Sequence, residues 1–313
     1  MSPILWTVAD RRCGPADTNR PLKRSTTMTA NHANSPLILV IAANGKTGSR
    51  VAQRLEDQGI AVRRGSRSAA IAFDWNARET WAPALEGVTA AYVVYTPDLA
   101  VPQAAVDLQA FTALAKDAGV SKLVLLSGRG EPEARQCEEI VERSGLAWTV
   151  VRASWFSQNF SEGEFVGMVN AGQITLPNPD VAEPFIDIDD IADVAVAALT
   201  DSRHDGELYE VTGPELLTFA EVANQLSEAT GRTIGYTPIT IDDMHRGLTD
   251  AGVPDDFANL LRYLFELTAT GVNAHTTDGV QRALGRAPRS FKTYAKHAAA
   301  QGFWSEAEAP HSN

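Results

Sequence analysis

Residues 42–48 have the composition and spacing of a phosphate-binding turn. They follow a continuous apolar run, residues 37–42, and comprise Ala42, Ala43, Asn44, Gly45, Lys46, Thr47 and Gly48. A strand that turns into a helix through such a segment brings the N–H groups of the helix N-terminus close to a pyrophosphate. Gly45 allows close approach, Gly48 allows helix and strand to touch, and Asn44 tolerates unusual turn angles. The spacing Ala42-x-x-Gly45-x-x-Gly48 therefore predicts a dinucleotide-binding turn whose first glycine is alanine.

Two alternatives for this turn stay open. The string Gly45-Lys46-Thr47 also occurs at the end of the P-loop of NTPases, but that motif needs a glycine five residues before Gly45, where Val40 stands. A glycine turn that holds no ligand is the second alternative. The strand before the turn and the helix after it favour the nucleotide.

The end of the second predicted strand, residues 60–64, indicates which nucleotide is bound. An acidic residue about 20 positions after the turn favours NAD, and none occurs in residues 60–73. Three arginines occur there instead, Arg63, Arg64 and Arg67. A guanidinium matches a phosphate through two parallel hydrogen bonds. Strand alternation points Arg63 and Arg64 to opposite faces, so Arg67 is the predicted ligand of a 2′-phosphate and NADP(H) the predicted cofactor. A solvated basic turn is the alternative.

The elements that position these residues alternate along the chain. Strands are predicted at residues 37–42, 60–64, 70–73, 90–95, 123–126 and 148–151. Helices are predicted at residues 49–58, 81–85, 106–118 and 133–144. This alternation predicts βαβ units in an α/β protein with a doubly wound, mostly parallel sheet of the Rossmann type.

The pattern changes after residue 160 and predicts a smaller, mostly helical lobe. Helices are expected at residues 190–199, 219–230, 241–251, 255–271 and 277–284, with a strand at 207–211. We expect Asp190 to be the N-cap of the first of these helices, and Thr218 with Glu221 to form a capping box on the second. The predicted organisation is a disordered extension (1–36), a nucleotide-binding domain (37–160), a lobe partly integrated with the sheet (161–305) and a tail (306–313).

Composition narrows the function. The 313 residues carry 27 basic and 39 acidic side chains, a net charge of −12, which argues against a nucleic-acid binder. No apolar run reaches the roughly 18 residues of a membrane helix. Cys13 and Cys137 form no metal-ligand spacing, and a cytosolic, cytoplasmic setting is expected. Asp187, Asp189 and Asp190 suggest a helix cap with surface charge more than a metal site, so no metal is predicted. A monomer or homodimer that binds a small-molecule substrate is expected.

No catalytic residue can be assigned from the sequence. Ordinary short-chain dehydrogenases pair a tyrosine with a lysine four residues later, and none of the six tyrosines has such a lysine. Good hydride acceptors, such as quinones and iminium ions, need only proximity and orientation to the nicotinamide. Plain ketones need a protein acid.

A group of residues that follows the sixth predicted strand is a candidate to stack a flat substrate, with core packing as the alternative. The group consists of Trp155, Phe156, Asn159 and Phe160.

Several stretches resemble the NmrA-like branch of the atypical short-chain dehydrogenase/reductases. They are residues 44–48, 73–75, 144–152, 155–160 and 285–291. The resemblance spans about residues 37–305 and looks closest to ergot alkaloid biosynthesis reductases. The wider family also holds NADPH-dependent quinone and triphenylmethane dye reductases, and redox sensors that bind the dinucleotide without turning it over.

The resemblance implies a role for each matching position. The turn of Asn44, Gly45, Lys46, Thr47 and Gly48 would cradle the pyrophosphate, and Arg67 would take the 2′-phosphate. Asp74 and Trp75 would lie beside the adenine. The nicotinamide side would be lined by Thr96, Pro97 and Ser127, which follow the fourth and fifth strands. Ligands of such sheets bind at the carboxyl ends of strands, which supports these placements independently.

These observations lead to two expectations for function. The first is an oxidoreductase that transfers a hydride from NADPH to a small, flat, electron-poor acceptor of the quinone, dye or imine type. The alternative is a non-catalytic NADP(H)-binding redox sensor or regulator, which the missing tyrosine–lysine pair favours.

Overall fold

Six parallel strands form the main sheet within residues 36–304, the part of the chain that the computed structural model describes. They are β1 (Leu37–Ile41), β2 (Ala61–Gly65), β3 (Ala90–Val93), β4 (Lys122–Gly128), β5 (Ala147–Ala153) and β7 (Glu207–Val211). Their order across the sheet is β2-β1-β3-β4-β5-β7, and every pairing is parallel. This confirms the predicted fold class. The expected extension and tail lie outside the described residues, apart from Pro36.

Helices connect the strands and cover both faces. They are α1 (Lys46–Asp57), α2 (Trp81–Leu85), α3 (Gln103–Asp117), α4 (Pro132–Glu142), α5 (Val166–Asn170), α6 (Ile188–Thr200), α7 (Phe219–Thr230), α8 (Ile241–Asp250), α9 (Asp255–Ala269), α10 (Gly279–Leu284) and α11 (Phe291–Ala300). Successive residues of β1 show why both faces are buried. Ile38 and Val40 pack with α1 and α6, whereas Leu39 and Ile41 pack with α2, α3 and α4. A strand buried on both faces is apolar throughout, as β1 is.

The chain changes direction between β1, β2 and β3. After β2, on one side of β1, the chain crosses to β3 on the other side. The loops that follow β1 and β3 therefore separate at the carboxyl edge of the sheet and leave a crevice there, which is where open α/β sheets bind ligands.

A second core lies in the predicted lobe. It contains Phe160, Phe165, Phe265 and Phe291, all at most 1% exposed. A parallel pair of short strands, β6 (Gln173–Leu176) and β8 (Gly235–Pro238), lies in this region. The lobe shares the main sheet as well, because β7 pairs with β5.

Two predictions of local structure are wrong. Residues 70–73 form no strand, because the backbone N–H groups of Ala69 and Phe73 donate to the carbonyl of Ser66 and fold the segment back on itself. The N-cap of α6 is Asp187, not Asp190: its carboxylate accepts the N–H of Asp189 at 2.9 Å. The capping box of Thr218 and Glu221 is confirmed.

A buried carboxyl group, Glu183, makes stability depend on pH. It is 2% exposed and neither carboxyl oxygen has a hydrogen-bond partner among the described residues. Burial raises its pKa from 4.5 to about 7. Between these values the unfolded chain releases a proton that the folded chain keeps, so stability falls as pH rises from about 4.5 to 7 and then levels off.

We expect Glu183→Gln to remove this pH dependence. The free energy of unfolding at pH 8 should rise by about 3 kcal/mol over that of the wild type, because no charge has to be buried. Urea denaturation at pH 4.5 and pH 8 measures it. The exposed Glu228 provides the control, since Glu228→Gln should change stability by less than about 0.5 kcal/mol. An unchanged pH slope in Glu183→Gln would show that the buried carboxyl is ionised throughout.

Candidate functional site

The glycine turn places the N-terminus of α1 at the crevice. Gly45 is the N-cap of α1, and no side chain caps the first turn. A Cβ on Gly48 would lie 2.3 Å from the carbonyl oxygen of Ala42, and one on Gly45 would lie 3.1 Å from the same atom. Helix and strand therefore approach so closely that only glycine fits at position 48. The uncapped N–H groups and the helix dipole suit a phosphate group.

Ala42 occupies a backbone conformation that favours glycine. Its φ is +54°, in the left-handed region, where a Cβ costs roughly 1–2 kcal/mol. The sequence showed that alanine stands at the first glycine position of the motif, and the structure shows the strain that results.

We expect Ala42→Gly to stabilise the protein by about 0.5–1 kcal/mol, since relief of strain exceeds the added entropy of the unfolded chain. Chemical denaturation measures the change. Ala43→Gly is the matched control, because Ala43 is fully buried and its φ is not positive. That variant should lose about 1 kcal/mol. Destabilisation by Ala42→Gly would show that the methyl group contributes more packing than strain.

The arginines at the end of β2 differ in what they contact. Arg63 donates to the carbonyl oxygens of Ala84 and Glu86 at 2.9 and 2.6 Å. Arg64 forms a bidentate ion pair with Glu56. Arg67 is exposed, and neither a hydrogen bond nor an ion pair engages it within residues 36–304. Its neighbour Ser68 accepts a hydrogen bond from Asn44 Nδ2 at 3.4 Å, which joins the Arg67 loop to the glycine turn.

Asp74 and Trp75, which are expected beside the adenine, lie in the segment between β2 and α2. Trp75 is 5% exposed, packs among the rings of Phe73, Trp81 and Phe111, and donates its indole N–H to the carbonyl of Val94 at 2.9 Å. The Asp74 carboxylate accepts the N–H of Asn76 within its own turn. The Trp75 ring is therefore part of the core, and the role of Asp74 and Trp75 beside the adenine stays a prediction.

A cavity of about 380 Å³ extends from the glycine turn to the lobe. Gly45, Lys46 and Thr47 line it on the side of α1, and Thr96, Pro97 and Ser127 line it at the ends of β3 and β4. Asn44 and Gly48, although they belong to the same turn, do not line the cavity. The Ser127 hydroxyl donates to the fully buried Glu138 at 2.7 Å.

The aromatic residues after β5 divide between cavity and core. Trp155, Phe156 and Asn159 line the cavity, and Trp155 stacks on Phe165 with ring centroids 6.0 Å apart. Phe160 is fully buried in the second core and does not line the cavity. The core packing considered as the alternative therefore applies to Phe160. Asn159 Oδ1 accepts a hydrogen bond from Lys46 Nζ at 3.0 Å, which fastens this segment to α1.

Two contributors to the cavity were not expected from the sequence. One face of α9 covers it with Phe257, Leu260, Leu261 and Leu264. Their spacing of i, i+3, i+4 and i+7 is that of one helical face. The sequence therefore shows that α9 has an apolar face, but not that this face covers the cavity. The other is a pair of carboxyl groups, Asp98 and Glu131, which follow β3 and β4.

The three aspartates near α6 serve structural contacts. Asp187 caps the helix, Asp189 pairs with Arg54 at 2.7 Å, and Asp190 pairs with Arg286 at 2.7 Å. Within residues 36–304, no group of three or more His, Cys, Asp and Glu side chains could hold a metal ion. The same part of the chain contains no helix that is long and apolar enough to span a membrane.

A parallel sheet with a glycine turn at its crevice defines a nucleotide-binding protein of the Rossmann type. Residues 133–296 match the NmrA-like family, and residues 42–202 match an NAD(P)H-binding family. Each match spans about half of the chain. The protein therefore belongs to the NmrA-like family and has an NAD(P)H-binding domain, as the motifs predicted.

Known proteins resemble the chain over most of its length. The NAD(P)H azoreductase of Xenophilus azovorans is 34% identical over 296 residues, covering 85% of this chain and 99% of the azoreductase. The festuclavine dehydrogenase of Aspergillus fumigatus is 29% identical over 279 residues, covering 83% and 96%. The triphenylmethane reductase of Citrobacter sp., solved with NADP(H), superimposes with a TM-score of 0.67 at 21% identity, covering 84% and 99%. The last similarity shows a shared fold.

Proposed function

We propose that the protein is an NADPH-dependent oxidoreductase that passes a hydride to a small, flat, electron-poor acceptor of the quinone, dye or imine type. The observation that carries the proposal is that one cavity joins the glycine turn to a wall of Trp155, Phe156 and the apolar face of α9. A nucleotide on the turn would leave this wall free for a planar ring. Two of the compared proteins are named for reductions of azo and triphenylmethane compounds, which supports the same class of acceptor.

The residues around the turn fit a phosphorylated dinucleotide. The uncapped N-terminus of α1, kept open by Gly45 and Gly48, would hold the pyrophosphate. Arg67, which has no partner within the described chain, would bind the 2′-phosphate through its guanidinium. The joined loops would carry both contacts, because Asn44 hydrogen bonds to Ser68.

In this reaction, the protein would position the nicotinamide and the acceptor against each other and exclude water from them. When bound, the reduced nicotinamide supplies a hydride. Thr96, Pro97 and Ser127 would bound one side of the reacting pair, while Trp155 and Phe156 would orient the acceptor ring on the other. The apolar side chains of α9 would keep water out, so that donor and acceptor meet in a fixed orientation.

A panel of acceptors tests the proposal. A naphthoquinone, an azo dye, a cationic triphenylmethane dye and a cyclic iminium ion are each mixed with the protein and NADPH, and NADPH oxidation is followed by absorbance. We expect steady turnover with at least one acceptor. Protein that binds NADPH and oxidises it with none of them would contradict the proposal. That result would favour a regulator, whose shape or partner affinity should then differ between NADP⁺ and NADPH.

A further inference from the structure

Two carboxyl groups face the cavity at the point where the sequence offers no tyrosine–lysine pair. Asp98 lies in the loop after β3, and Glu131 lies in the loop after β4. The two strands are neighbours in the parallel sheet, so their carboxyl ends bring both loops to one edge. Ser127 and Thr96, at the ends of the same strands, line the same cavity.

The Glu131 side chain is directed to Asp98 instead of to its own helix. Glu131 is the N-cap of α4, but its side chain makes no capping hydrogen bond. Its carboxyl group lies beside that of Asp98, and two carboxyl groups so placed can hydrogen bond only when one of them carries a proton. Oε2 is buried and receives no hydrogen bond from an N–H or hydroxyl group of the described residues. Gly128 makes room for this arrangement, since a Cβ there would lie 2.3 Å from Oε1.

The surroundings place the proton on Glu131. Burial raises the pKa of Asp98 as well, but its carboxylate accepts the N–H of Ala100 at 2.8 Å, which favours the ionised form of Asp98 over that of Glu131. The other titratable groups facing Glu131 are Glu133, Cys137 and Glu138 on α4 and Tyr263 on α9. Burial and the negative charge of Asp98 raise the pKa of Glu131 to about 9. Glu131 is therefore a neutral acid at pH 7.

Two of these neighbours are already engaged. Glu138 accepts hydrogen bonds from Ser127 and Arg152, and Glu133 accepts one from the Tyr263 hydroxyl at 2.8 Å. Burial raises the pKa of the Cys137 thiol to about 12, so it stays neutral. Glu131 alone of these acids lines the cavity together with Asp98.

We propose that Glu131, which lines the cavity beside Asp98, donates the proton that completes the reduction, an inference that rests on the proposed function. Hydride addition to one atom of the acceptor's double bond breaks the π bond. The electron pair moves to the atom at the other end of the reacting system, an oxygen or nitrogen. That atom takes the proton of Glu131, and the carboxylate left behind regains a proton from water. The acceptor gains two electrons and two hydrogens, and NADPH is oxidised to NADP⁺.

The proposal narrows the acceptor class. Azo compounds, quinones and conjugated carbonyl compounds end the reaction with a new N–H or O–H bond, so they need a proton donor. Cationic triphenylmethane dyes and iminium ions are neutralised by the hydride alone. An acid placed in the cavity has a use only with the first group, so we expect those acceptors to be the preferred ones.

Glu131→Gln separates the two groups of acceptors. The amide keeps the shape of the side chain but donates no proton in this reaction. We expect kcat with a quinone or azo dye to fall about 100-fold or more, as is typical for loss of a general acid. With a cationic triphenylmethane dye, we expect a much smaller fall, within about 3-fold. In the wild type, kcat with the quinone should also decline above about pH 9 as Glu131 ionises.

Glu139→Gln is the matched control, because Glu139 lies on the same helix, outside the cavity, and pairs with Arg143. It should affect neither acceptor. Equal losses with both acceptors in Glu131→Gln, or no loss with the quinone, would overturn the proposal. If the wild type binds NADPH but reduces none of the four acceptors of the panel, the proposed function itself fails, and the role of Glu131 as its donor falls with it.

Infrared spectroscopy provides a readout that does not depend on turnover. In protein that carries Glu183→Gln, so that the buried Glu183 contributes no band, a carbonyl band of a protonated carboxylic acid should be present at pH 7, disappear as the pH rises through about 9, and be missing when Glu131→Gln is added. Asp98→Asn should move the loss of the band to lower pH, because it removes the neighbouring negative charge. If Glu131→Gln keeps the full band at pH 7, Glu131 carries no proton there and the proposal is wrong.

Discussion

Replacing Gly48 by alanine is expected to weaken NADPH binding on the order of 100-fold. The added Cβ would lie 2.3 Å from the carbonyl oxygen of Ala42 and 2.8 Å from its carbonyl carbon. Both are backbone atoms, so α1 has to move away from the turn that it forms with β1. Overpacking of this kind costs about 1–3 kcal/mol, and every 1.4 kcal/mol lost from binding is a factor of ten. Fluorescence titration with NADPH measures the affinity.

A second helical glycine separates this effect from a general response to alanine. Gly247 lies within α8, and nothing stands within 4 Å of a Cβ placed on it. Gly247→Ala should therefore leave NADPH affinity unchanged and raise stability by about 0.5–1 kcal/mol. Wild-type affinity in Gly48→Ala would show that the nucleotide does not depend on the contact between α1 and β1.

Arg67→Glu is expected to remove the preference for the phosphorylated nucleotide. The variant should bind NADPH about 100-fold or more weakly, because two charge-assisted hydrogen bonds are lost and a carboxylate faces the 2′-phosphate. The affinity for NADH should fall less than about 3-fold, since NADH lacks that phosphate. Calorimetric titration of the variant with each nucleotide gives both values.

The control for this variant has to carry the same change of charge. Arg143→Glu does so at an exposed position, the C-cap of α4, which lies at the opposite edge of the sheet from the crevice. It should leave both affinities within about 2-fold, because surface charges beyond a Debye length are screened. Equal losses of NADPH and NADH affinity in Arg67→Glu would remove the phosphate-binding role of Arg67.

Helices and strands were predicted best where a helix cap or a long apolar run marked them. The capping box of Thr218 and Glu221 marked the start of α7, and the apolar run at residues 37–41 marked β1. The strands β6 and β8 were missed, because the alternation of β6 extends over only four residues and β8 contains glycine and proline, which are rare in strands. The false strand at residues 70–73 is apolar for another reason, since Phe73 belongs to a cluster of aromatic rings.

The sequence predicted only those site residues that belong to a recognisable local motif. Local spacing predicts the glycine turn, and residue type singles out Arg67 as a phosphate ligand. The pairing of Asp98 with Glu131 could not be predicted in this way, because the two residues are brought together by neighbouring strands rather than by sequence. The same holds for the face of α9, which is apolar in the sequence but could equally have packed in a core. Tertiary contacts decided which of these patterns reach the cavity.

Transfer of deuterium tests the central claim most directly. NADPH carrying deuterium on the reactive carbon of the nicotinamide is mixed with the full-length protein and a cationic triphenylmethane dye, whose central carbon forms a C–H bond that does not exchange with water. Mass spectrometry of the reduced dye counts the label. We expect one deuterium on the central carbon of each reduced molecule when the transferring face of the nicotinamide carries the label. Reduced dye that contains no deuterium, whichever face of the nicotinamide carries the label, would contradict direct hydride transfer.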